Sequence, residues 1–452
     1  MTPAAASASP PPLATTGASE PPIPEGPGRP PASPARPGRC PTARAFTARP
    51  VAATAPAARR GAAHAEPGDR PPVRGLLRCA EGVAGEYDWL ARSRPARLDD
   101  PGDLIAAIPA MLGFCPERSL ILAVLCAGPE APHSAVIDLV VRFDLLRPAA
   151  RRPADTATVA AAAARVCARP DVVGVLAVLV DDELVEPENA VAEPVPVLAE
   201  LERRLASAAV PVRAAWAASV IRAGHRWWSL TDPGERGLIA DPAASRVTLN
   251  RVLDGRPVRR SRDELTALIA ADTALRAGVS AELTAAKSRA KDRYAAAARR
   301  GDPIGFLRGE LATVLWLIAG AESGGELEAR ELADLAVALR DRELRDSMFA
   351  LAATPHAAAA EQIWLRLTRA LDGPDRAETA TLLGYFAYVR GDGPFAGIAL
   401  DAALSADPQH SMANLLHTAL EAGMRPERLR ELARCGRDCA AALGVDLDAG
   451  QW

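Results

Sequence analysis

The residues with the clearest chemical potential surround a rigid turn that leads into a predicted strand. The turn reads Gly-Phe-Cys-Pro at 113–116, and a predicted strand follows from Ser119. On the next predicted strand Arg142 and Asp144 stand two residues apart, so their side chains share one face. A turn at strand ends can present backbone N–H groups, and a guanidinium can hold an anion through two parallel hydrogen bonds. We therefore predict a candidate anionic-ligand site made of Gly113, Phe114, Ser119, Arg142, Asp144 and Trp228.

A structural interpretation of the same residues stays open. Arg142 and Asp144 would also suit an ion pair that pins the turn. No nucleophile stands with a base in this group, so catalytic residues are not assigned. Trp227 and Trp228 are adjacent on a predicted strand and therefore point to opposite faces. We expect one of the pair in the core and the other exposed or lining a groove.

The helix before the turn carries clear start and stop signals. Asp100 precedes Pro101, which suits an N-cap followed by proline at the first helical position. Large apolar residues recur at helical spacing between 104 and 112, which predicts one buried face. Pro109 predicts a kink or a restart, and Gly113 predicts a left-handed helix end.

Three segments around this turn follow the pattern of one protein family. They read Leu-x-x-Pro-x-Asp-Leu at 98–104, Ile-Pro-x-x-Leu-Gly-Phe-x-Pro-x-x-Ser-Leu at 108–120, and Val-x-Arg-Phe-Asp-Leu at 140–145. Weaker matches follow at 226–229, 261–265 and 391–396. Over roughly Leu98 to Arg434, the chain resembles the actinobacterial domain of unknown function 4192 family. This resemblance implies no assigned reaction.

Cysteine usage argues against a metal or disulfide framework. The resemblance implies a cysteine cluster directly after the Trp pair, but residues 230–237 contain no cysteine, so no metal or redox role carries over. The number of cysteines is odd, and the spacing between them matches no zinc or disulfide pattern. The cysteines at 115, 126 and 167 lie in apolar sequence, which is typical of small core residues. Free cysteines of this kind fit a reducing cytosol. The seven are Cys40, Cys79, Cys115, Cys126, Cys167, Cys435 and Cys439.

Composition sets the class of the protein. The 452 residues are 49 % hydrophobic, enough for sizeable cores, and the net charge of -3 makes nucleic-acid binding an unfavoured function. Residues 1–95 carry 12 basic against 7 acidic side chains, so the remainder is acidic. The sequence shows no secretory signal and no apolar run near the roughly 18–20 residues that span a bilayer. We therefore predict a cytoplasmic protein with no membrane segment.

The first 72 residues form a tail of distinct composition. They hold 18 of the 40 prolines, mixed with alanine, glycine and arginine, and cannot bury enough apolar surface to offset backbone ordering. We predict a disordered tail at 1–72. A proline-rich tail can be a ligand for aromatic grooves, or it can be an extension without a selected function.

A mixed α/β domain is predicted at 98–270. Strand-like runs alternate with helical patterns there, the apolar run 172–180 indicates a strand covered on both faces, and the first two strands suit a hairpin. The prediction is a three-layer mixed sheet with flanking helices. The predicted strands are 119–126, 135–143, 172–180, 212–221 and 226–230, with helices at 156–168 and 196–209.

A helical domain is predicted at 271–440. Gly384, Ala396, Leu400, Ala403 and Pro408 match the spacing of one tetratricopeptide repeat, in which small residues let two helices pack closely. Since one copy is clear, we predict a helical hairpin within a tetratricopeptide-like array. The predicted helices are 265–277, 281–299, 303–320, 327–353, 357–371, 377–390, 394–406 and 411–422.

The remaining polar clusters favour structural or surface roles. Dinucleotide, phosphate-loop, serine-hydrolase and zinc-protease motifs are absent from the sequence. His410 and His417 lie two helical turns apart and are assigned to the surface, and the pair Cys435 and Cys439 to an incidental role. A basic helix around 287–300 contains Tyr294 and would suit a phosphate backbone or an acidic partner, although a solvated helix face is favoured.

Two hypotheses for the function follow. The first is a non-catalytic cytosolic interaction or regulatory protein that binds a protein partner through its helical half. The alternative is a small-ligand-binding protein or enzyme with an anionic ligand site near the Gly-Phe-x-Pro turn. An apolar groove on the helical half would favour the first, and a polar, well-formed pocket at the turn the second. We favour the first, predict no cofactor and no metal, and leave the oligomeric state open.

Overall fold

The structure is a computed structural model. It describes residues 77–79, 97–98, 100–127, 135–147, 152–153, 155–186, 195–232 and 234–447. The predicted disordered tail at 1–72 lies outside these residues. The described residues belong to one compact unit, 70–452, and the division at residue 270 stays a prediction.

Eight of the described strands form one mixed sheet in the order β10-β9-β8-β7-β3-β4-β1-β2, and β5 pairs with β6 separately. The strands predicted after residue 118 are confirmed, with small shifts at their ends. The strands are β1 (Leu77–Cys79), β2 (Arg97–Leu98), β3 (Ser119–Ala127), β4 (Ala135–Asp144), β5 (Leu146–Arg147), β6 (Arg152–Pro153), β7 (Val172–Val180), β8 (Val212–Ala218), β9 (Arg226–Ser229) and β10 (Arg236–Leu238).

The pairing of the central strands follows from the lengths of their connections. β3 and β4 form the predicted antiparallel hairpin, with Ser119 opposite Asp144. β7 and β8 are parallel because the connection between them contains a helix, which carries the chain back to the starting edge. The helices of this half are α1 (Pro101–Leu112), α2 (Thr156–Cys167), α3 (Pro196–Ser207), α4 (Arg246–Leu253) and α5 (Arg262–Ala267), with a 3-10 turn at Pro242–Ala244.

The two faces of the sheet belong to two different cores. Leu120 and Leu122 on β3 pack with apolar residues of α2 and α3. Ile121 and Ala123, on the opposite face of the same strand, join a larger core that includes α1 and the C-terminal helices. The predicted three-layer arrangement is therefore confirmed, with the helical half forming part of the third layer.

The C-terminal half is helical, and its boundaries are set by capping aspartates. Asp272 accepts a hydrogen bond from the Leu275 backbone and begins a long helix there. The helices are α6 (Thr273–Arg299), α7 (Pro303–Glu322), α8 (Ala329–Ala338), α9 (Arg342–Ser347), α10 (Ala357–Ala370), α11 (Gly373–Val389), α12 (Gly393–Ala406), α13 (Ser411–Glu421) and α14 (Pro426–Ala442), with a 3-10 segment at Met348–Ala353.

Two predicted helix boundaries are wrong. The segment 327–353 is not one helix, because Asp341 caps a new start by accepting hydrogen bonds from the backbones of Glu343 and Leu344. The predicted break between the helices 265–277 and 281–299 is absent, because α6 runs without interruption from Thr273 to Arg299. The break falls before Thr273 instead.

The predicted hairpin of α11 and α12 is confirmed. A Cβ atom at Gly384 would lie 2.8 Å from Leu400 Cγ, so glycine is what lets the two helices approach. Ala396 and Ala403 are fully buried along the same contact. A tetratricopeptide-like array requires several such pairs, and that finer assignment stays a prediction.

One helix bears on the predicted absence of a membrane segment. The 20 residues of α7 are long and apolar enough to cross a bilayer by length and composition, and 28 % of the apolar window is buried. The helix meets this criterion through its mean hydropathy, although Arg308 and Glu310 interrupt its apolar sequence, and the absence of a membrane segment stays a prediction. Its inner face packs Leu311, Val314 and Ile318 into the large core.

Candidate functional site

The predicted turn is built as its sequence indicates. Asp100 caps α1 by accepting a hydrogen bond from the Gly102 backbone at 2.7 Å. The helix continues through Pro109 without restarting and ends at Gly113, which is left-handed at φ +84°. The Gly113 carbonyl accepts a hydrogen bond from the Arg259 backbone, and the Arg259 carbonyl accepts one from Cys115. The turn is thus fixed on both sides by main-chain contacts.

The structure brings together Ser119, Arg142 and Asp144. Arg142 Nε donates to Ser119 Oγ at 2.7 Å, and its Nη2 pairs with the Asp144 carboxylate. Ser119 Oγ in turn donates to the Glu117 carbonyl at 2.5 Å. The guanidinium therefore bridges β4 to the end of the turn, as the structural interpretation of these residues expected.

Phe114 closes the space above this ion pair. The Arg142 guanidinium carbon lies 5.3 Å from the centre of the Phe114 ring, within the range of a cation–π contact. Burial lowers the pKa of Arg142, and the neighbouring Asp144 carboxylate opposes that shift. Phe114 and Ser119 are both buried. The candidate site residues at the turn are thus in contact with one another.

Trp228 lies apart from the rest of the predicted site. Both tryptophans of the pair are buried, so the expectation of one exposed or groove-lining ring is wrong. Trp227 belongs to the large core and Trp228 to the core formed with α2 and α3. Because these cores lie on opposite faces of the sheet, Trp228 is on the other side from Phe114.

Replacing Arg142 with alanine should lower the free energy of unfolding by about 2 kcal/mol, because two charge-assisted hydrogen bonds and the ring contact are lost. Chemical denaturation of both proteins measures the difference. Arg203→Ala is the control, since Arg203 is largely exposed and pairs only within its own helix. Equal stability of Arg142→Ala and the control would contradict a pinning role.

A second ionic cluster, which sequence reasoning missed, lies against Gly113. Arg251 on α4 pairs with Asp392 at 3.0 Å, and Arg390 pairs with both Asp392 and Glu361. Asp392 is only 4 % exposed and caps α12 by accepting from the Phe395 backbone. The 391–396 segment of the family resemblance thus meets the Gly-Phe-x-Pro turn through Arg251.

This cluster holds cationic groups with incomplete hydrogen bonding. The Nε atoms of Arg251 and Arg390 are buried and have no hydrogen-bond partner in the described part of the chain. Burial lowers the pKa of Arg390 to about 10, while Asp392 opposes the shift. The sequence signal was the motif around Asp392, but nothing in it indicated a partner 141 residues away.

Comparison with known proteins agrees with these motifs. A family model described as Domain of unknown function (DUF4192) matches residues 101–427. The chain belongs to the DUF4192 family. Neither the curated proteins nor the solved structures include a significant match to it. The match begins at α1 and ends within α14, so it covers both the turn and the Asp392 cluster.

A third polar cluster in this DUF4192 chain has metal-ligand residue types but is occupied by arginines. Cys126 Sγ and the carboxylates of Asp138 and Asp171 lie within 4.8 Å of one another. Arg169 and Arg425 each pair with both carboxylates and donate to the Cys126 sulfur. A cation would have to displace both guanidinium groups. Cys126 therefore lies in charged rather than apolar surroundings, contrary to its sequence context.

The two histidines of the DUF4192 chain that were predicted to lie on the surface, His410 and His417, differ in burial. His417 is partly exposed and lies 3.2 Å from Asp401. His410 is buried, and its Nδ1 accepts a hydrogen bond from the Ala413 backbone at the start of α13. Its Nε2 lies 3.1 Å from Glu378. The surface assignment of His410 was wrong because the sequence did not show that it caps a packed helix.

The helical half of the DUF4192 chain carries an open groove of about 590 Å³ between α6, α7 and α8. Its wall is apolar along Phe306, Val314 and Leu317 on α7 and Leu335 on α8. Arg293 pairs with Glu310 at 2.7 Å across one side. Trp316 stands two turns after Gly309 on the exposed face of α7 and is 67 % exposed.

Proposed function

We propose that the chain is a non-catalytic cytoplasmic interaction protein that binds a protein partner in the groove between α6, α7 and α8. The observation that carries this proposal is the combination of an open groove, whose lining is part apolar and part charged, with exposed aromatic side chains on α6 and α7. Trp316 is 67 % exposed and Tyr294 is 51 % exposed. Large aromatic residues are enriched where protein partners bind, because they bury much apolar surface at low entropic cost.

The Gly-Phe-x-Pro turn offers less room for a reaction. Phe114 covers Arg142, Ser119 Oγ already donates and accepts a hydrogen bond, and Gly113 is buried against Arg251. A nucleophile with a base is not found among these contacts. The geometry therefore supports a structural role for the turn, which joins the sheet to the helical half.

One observation favours the alternative of an anionic ligand. The buried Nε atoms of Arg251 and Arg390 without hydrogen-bond partners could be satisfied by a small oxyanion. Asp392 and Glu361 already neutralise these two guanidinium groups, which weakens that alternative. Native mass spectrometry of the purified chain tests it, and a co-purifying anion that is lost in Arg251→Met would favour it.

The groove is tested by filling it. Gly309 lies on the groove, and a Cβ atom there would meet nothing within 4 Å, so Gly309→Phe should fold and block the site. Gly320→Phe is the matched control, because a Cβ atom at Gly320 on the same helix also meets nothing within 4 Å, and Gly320 does not line the groove. The readout is photo-crosslinking in extract of the source organism from a benzophenone residue at Thr313.

We expect crosslinked proteins from position 313 in the parent chain and in Gly320→Phe, and their loss in Gly309→Phe. A second benzophenone at Leu238, which is exposed on β10 in the other half of the chain, identifies non-specific capture. If positions 313 and 238 capture the same proteins, or if Gly309→Phe changes nothing, the proposed function is wrong.

A further inference from the structure

We infer that β4 pairs edge to edge with β4 of a second copy of this chain, so that the sheets of two copies join into one. The inference does not depend on the proposed function, because β4 belongs to the sheet and not to the groove between α6, α7 and α8. It rests on three observations, namely an uncovered strand edge, the direction of the main-chain groups along it, and apolar side chains that match each other about a two-fold axis.

The outer edge of β4 is covered only at its start. The inner edge pairs with β3 along the strand, whereas β1 pairs with Ala135–Ile137 alone. Among the described residues, the segment 138–144 therefore has no strand on its outer side. The residues of β3 are buried from Ser119 to Cys126, but those at 138–144 are only half-buried. An uncovered strand edge of this length is a template for pairing with another chain.

The main-chain groups on this edge point outward at alternate residues. The Leu145 N–H donates to the Arg118 carbonyl, and the register of β3 and β4 places these two residues opposite each other. Hydrogen-bonded and non-hydrogen-bonded pairs alternate along an antiparallel ladder. The N–H and C=O groups of Val140, Arg142 and Asp144 therefore point away from β3. No hydrogen-bond partner for them lies in the part of the chain that the structure describes.

The edge lacks most of the features by which proteins block such pairing. Residues 138–144 read Asp-Leu-Val-Val-Arg-Phe-Asp and include no proline or lysine. The charges of Asp138, Arg142 and Asp144 are held in ion pairs within the chain. The register shift of β4 lies at its Asp138 end, so the rest of the segment is regular. An extended main chain can therefore approach residues 139–144 directly.

A second copy fits this edge because the open segment is centred on Val141. Antiparallel pairing about a two-fold axis there places Val140 of each copy opposite Arg142 of the other, which gives about four main-chain hydrogen bonds. On the α2 face, Leu139 of one copy lies opposite Phe143 of the other, and the two Val141 side chains meet at the axis. All three side chains already border the core on that face.

The limits of the open segment select this register. β1 bounds the segment at Ile137, and β4 ends at Asp144. A shift in either direction shortens the paired segment, because one copy then meets β1 of the other or extends past the end of its strand. The contact involves one strand from each copy, so the dimer is small in area and weak.

Sedimentation velocity of the full chain tests for this dimer. We expect the average mass to rise from that of one chain toward that of two between about 1 and 100 µM, as a weak association requires. A chain that stays monomeric throughout this range would overturn the inference.

Val140→Pro tests whether the edge of β4 forms the dimer. Proline removes an outward N–H but no hydrogen bond to β3, and it is tolerated at such positions of edge strands. We expect the dimer dissociation constant to rise at least about tenfold. Val140→Ala is the matched control, because it shortens the side chain but keeps the N–H, and it should dimerise like the parent. Equal dimerisation of the two variants would place the contact elsewhere and overturn the inference.

Val141→Cys locates the axis independently of the proline variant. In a non-hydrogen-bonded pair the two Cα atoms are about 4.5 Å apart, which is within the span of a disulfide. Oxidised glutathione should therefore link two copies through position 141, with mass spectrometry of the peptides identifying the linked positions. Val185→Cys is the control, because Val185 is 84 % exposed and lies outside β4.

The pattern of links decides between occupants of the edge. Links between copies at position 141, with few at position 185, would support the pairing. A link from position 141 to another cysteine of the same chain would show that the chain covers its own edge, and it would overturn the inference. Absence of any link between copies at position 141, in a sample that sediments as a dimer, would overturn it as well.

Discussion

Asp392→Ala is expected to lower the free energy of unfolding by about 3–5 kcal/mol, because it leaves buried guanidinium groups without their carboxylate. Asp392 pairs with Arg251 and Arg390, and it also caps α12. Arg390 keeps Glu361, but Arg251 loses its described ion-pair partner. Urea denaturation followed by tryptophan fluorescence measures the change.

Asp254→Ala is the control for this loss. Asp254 pairs with Arg256 nearby, but its side chain is half exposed, so the change should stay within about 0.5 kcal/mol. If Asp392→Ala costs less than about 1 kcal/mol, the guanidinium groups of the cluster have reached water, and the cluster does not hold the two halves together.

Gly113→Val should destabilise the protein by about 3–4 kcal/mol for two reasons that add. A β-branched residue at φ +84° is strained by about 1–3 kcal/mol. In addition, its Cβ would lie 2.4 Å from Arg251 Nη2, so Arg251 would have to leave Asp392. Thermal and urea unfolding of the variant measure the combined effect.

Gly224→Val separates the two contributions. Gly224 has φ +75°, and a Cβ atom there would meet nothing within 4 Å, so only the backbone strain applies. The Gly113→Val loss should therefore be the larger, and Arg251→Met should remove the excess in a double-mutant cycle. Equal losses at the two glycines would show that Arg251 moves without cost.

The parts of this fold that can be predicted from the sequence are those determined by residues close together in the chain. Asp100, Pro101 and Gly113 define α1 through capping and a left-handed end, and each has the predicted role. The strand 172–180 was recognisable because an entirely apolar run must be covered on both faces. The spacing of Arg142 and Asp144 likewise placed them on one face, and they form an ion pair.

The parts that sequence did not predict depend on contacts between distant residues. Arg251 has no local feature that distinguishes it from the other arginines of the chain, since its importance comes from Asp392 and Gly113 in the folded structure. The sequence around His410 gives no sign that the residue is buried, because its role as the N-cap of α13 depends on the packing of that helix. The groove between α6, α7 and α8 likewise depends on the angles between helices, which spacing alone does not give.

The charged cluster at Cys126 has a consequence for synthesis on the ribosome. Arg169 donates to the carbonyl of Gly423, and Arg425 reaches back to Asp138, so the surface at one end of β3 and β7 is completed by residues up to almost 290 positions later. A nascent chain makes the strands of the hairpin long before these partners emerge. Arg169 can pair with Asp138 and Asp171 early, but their second guanidinium partner, Arg425, emerges only with the connection between α13 and α14, which completes a surface that β3 and β4 began.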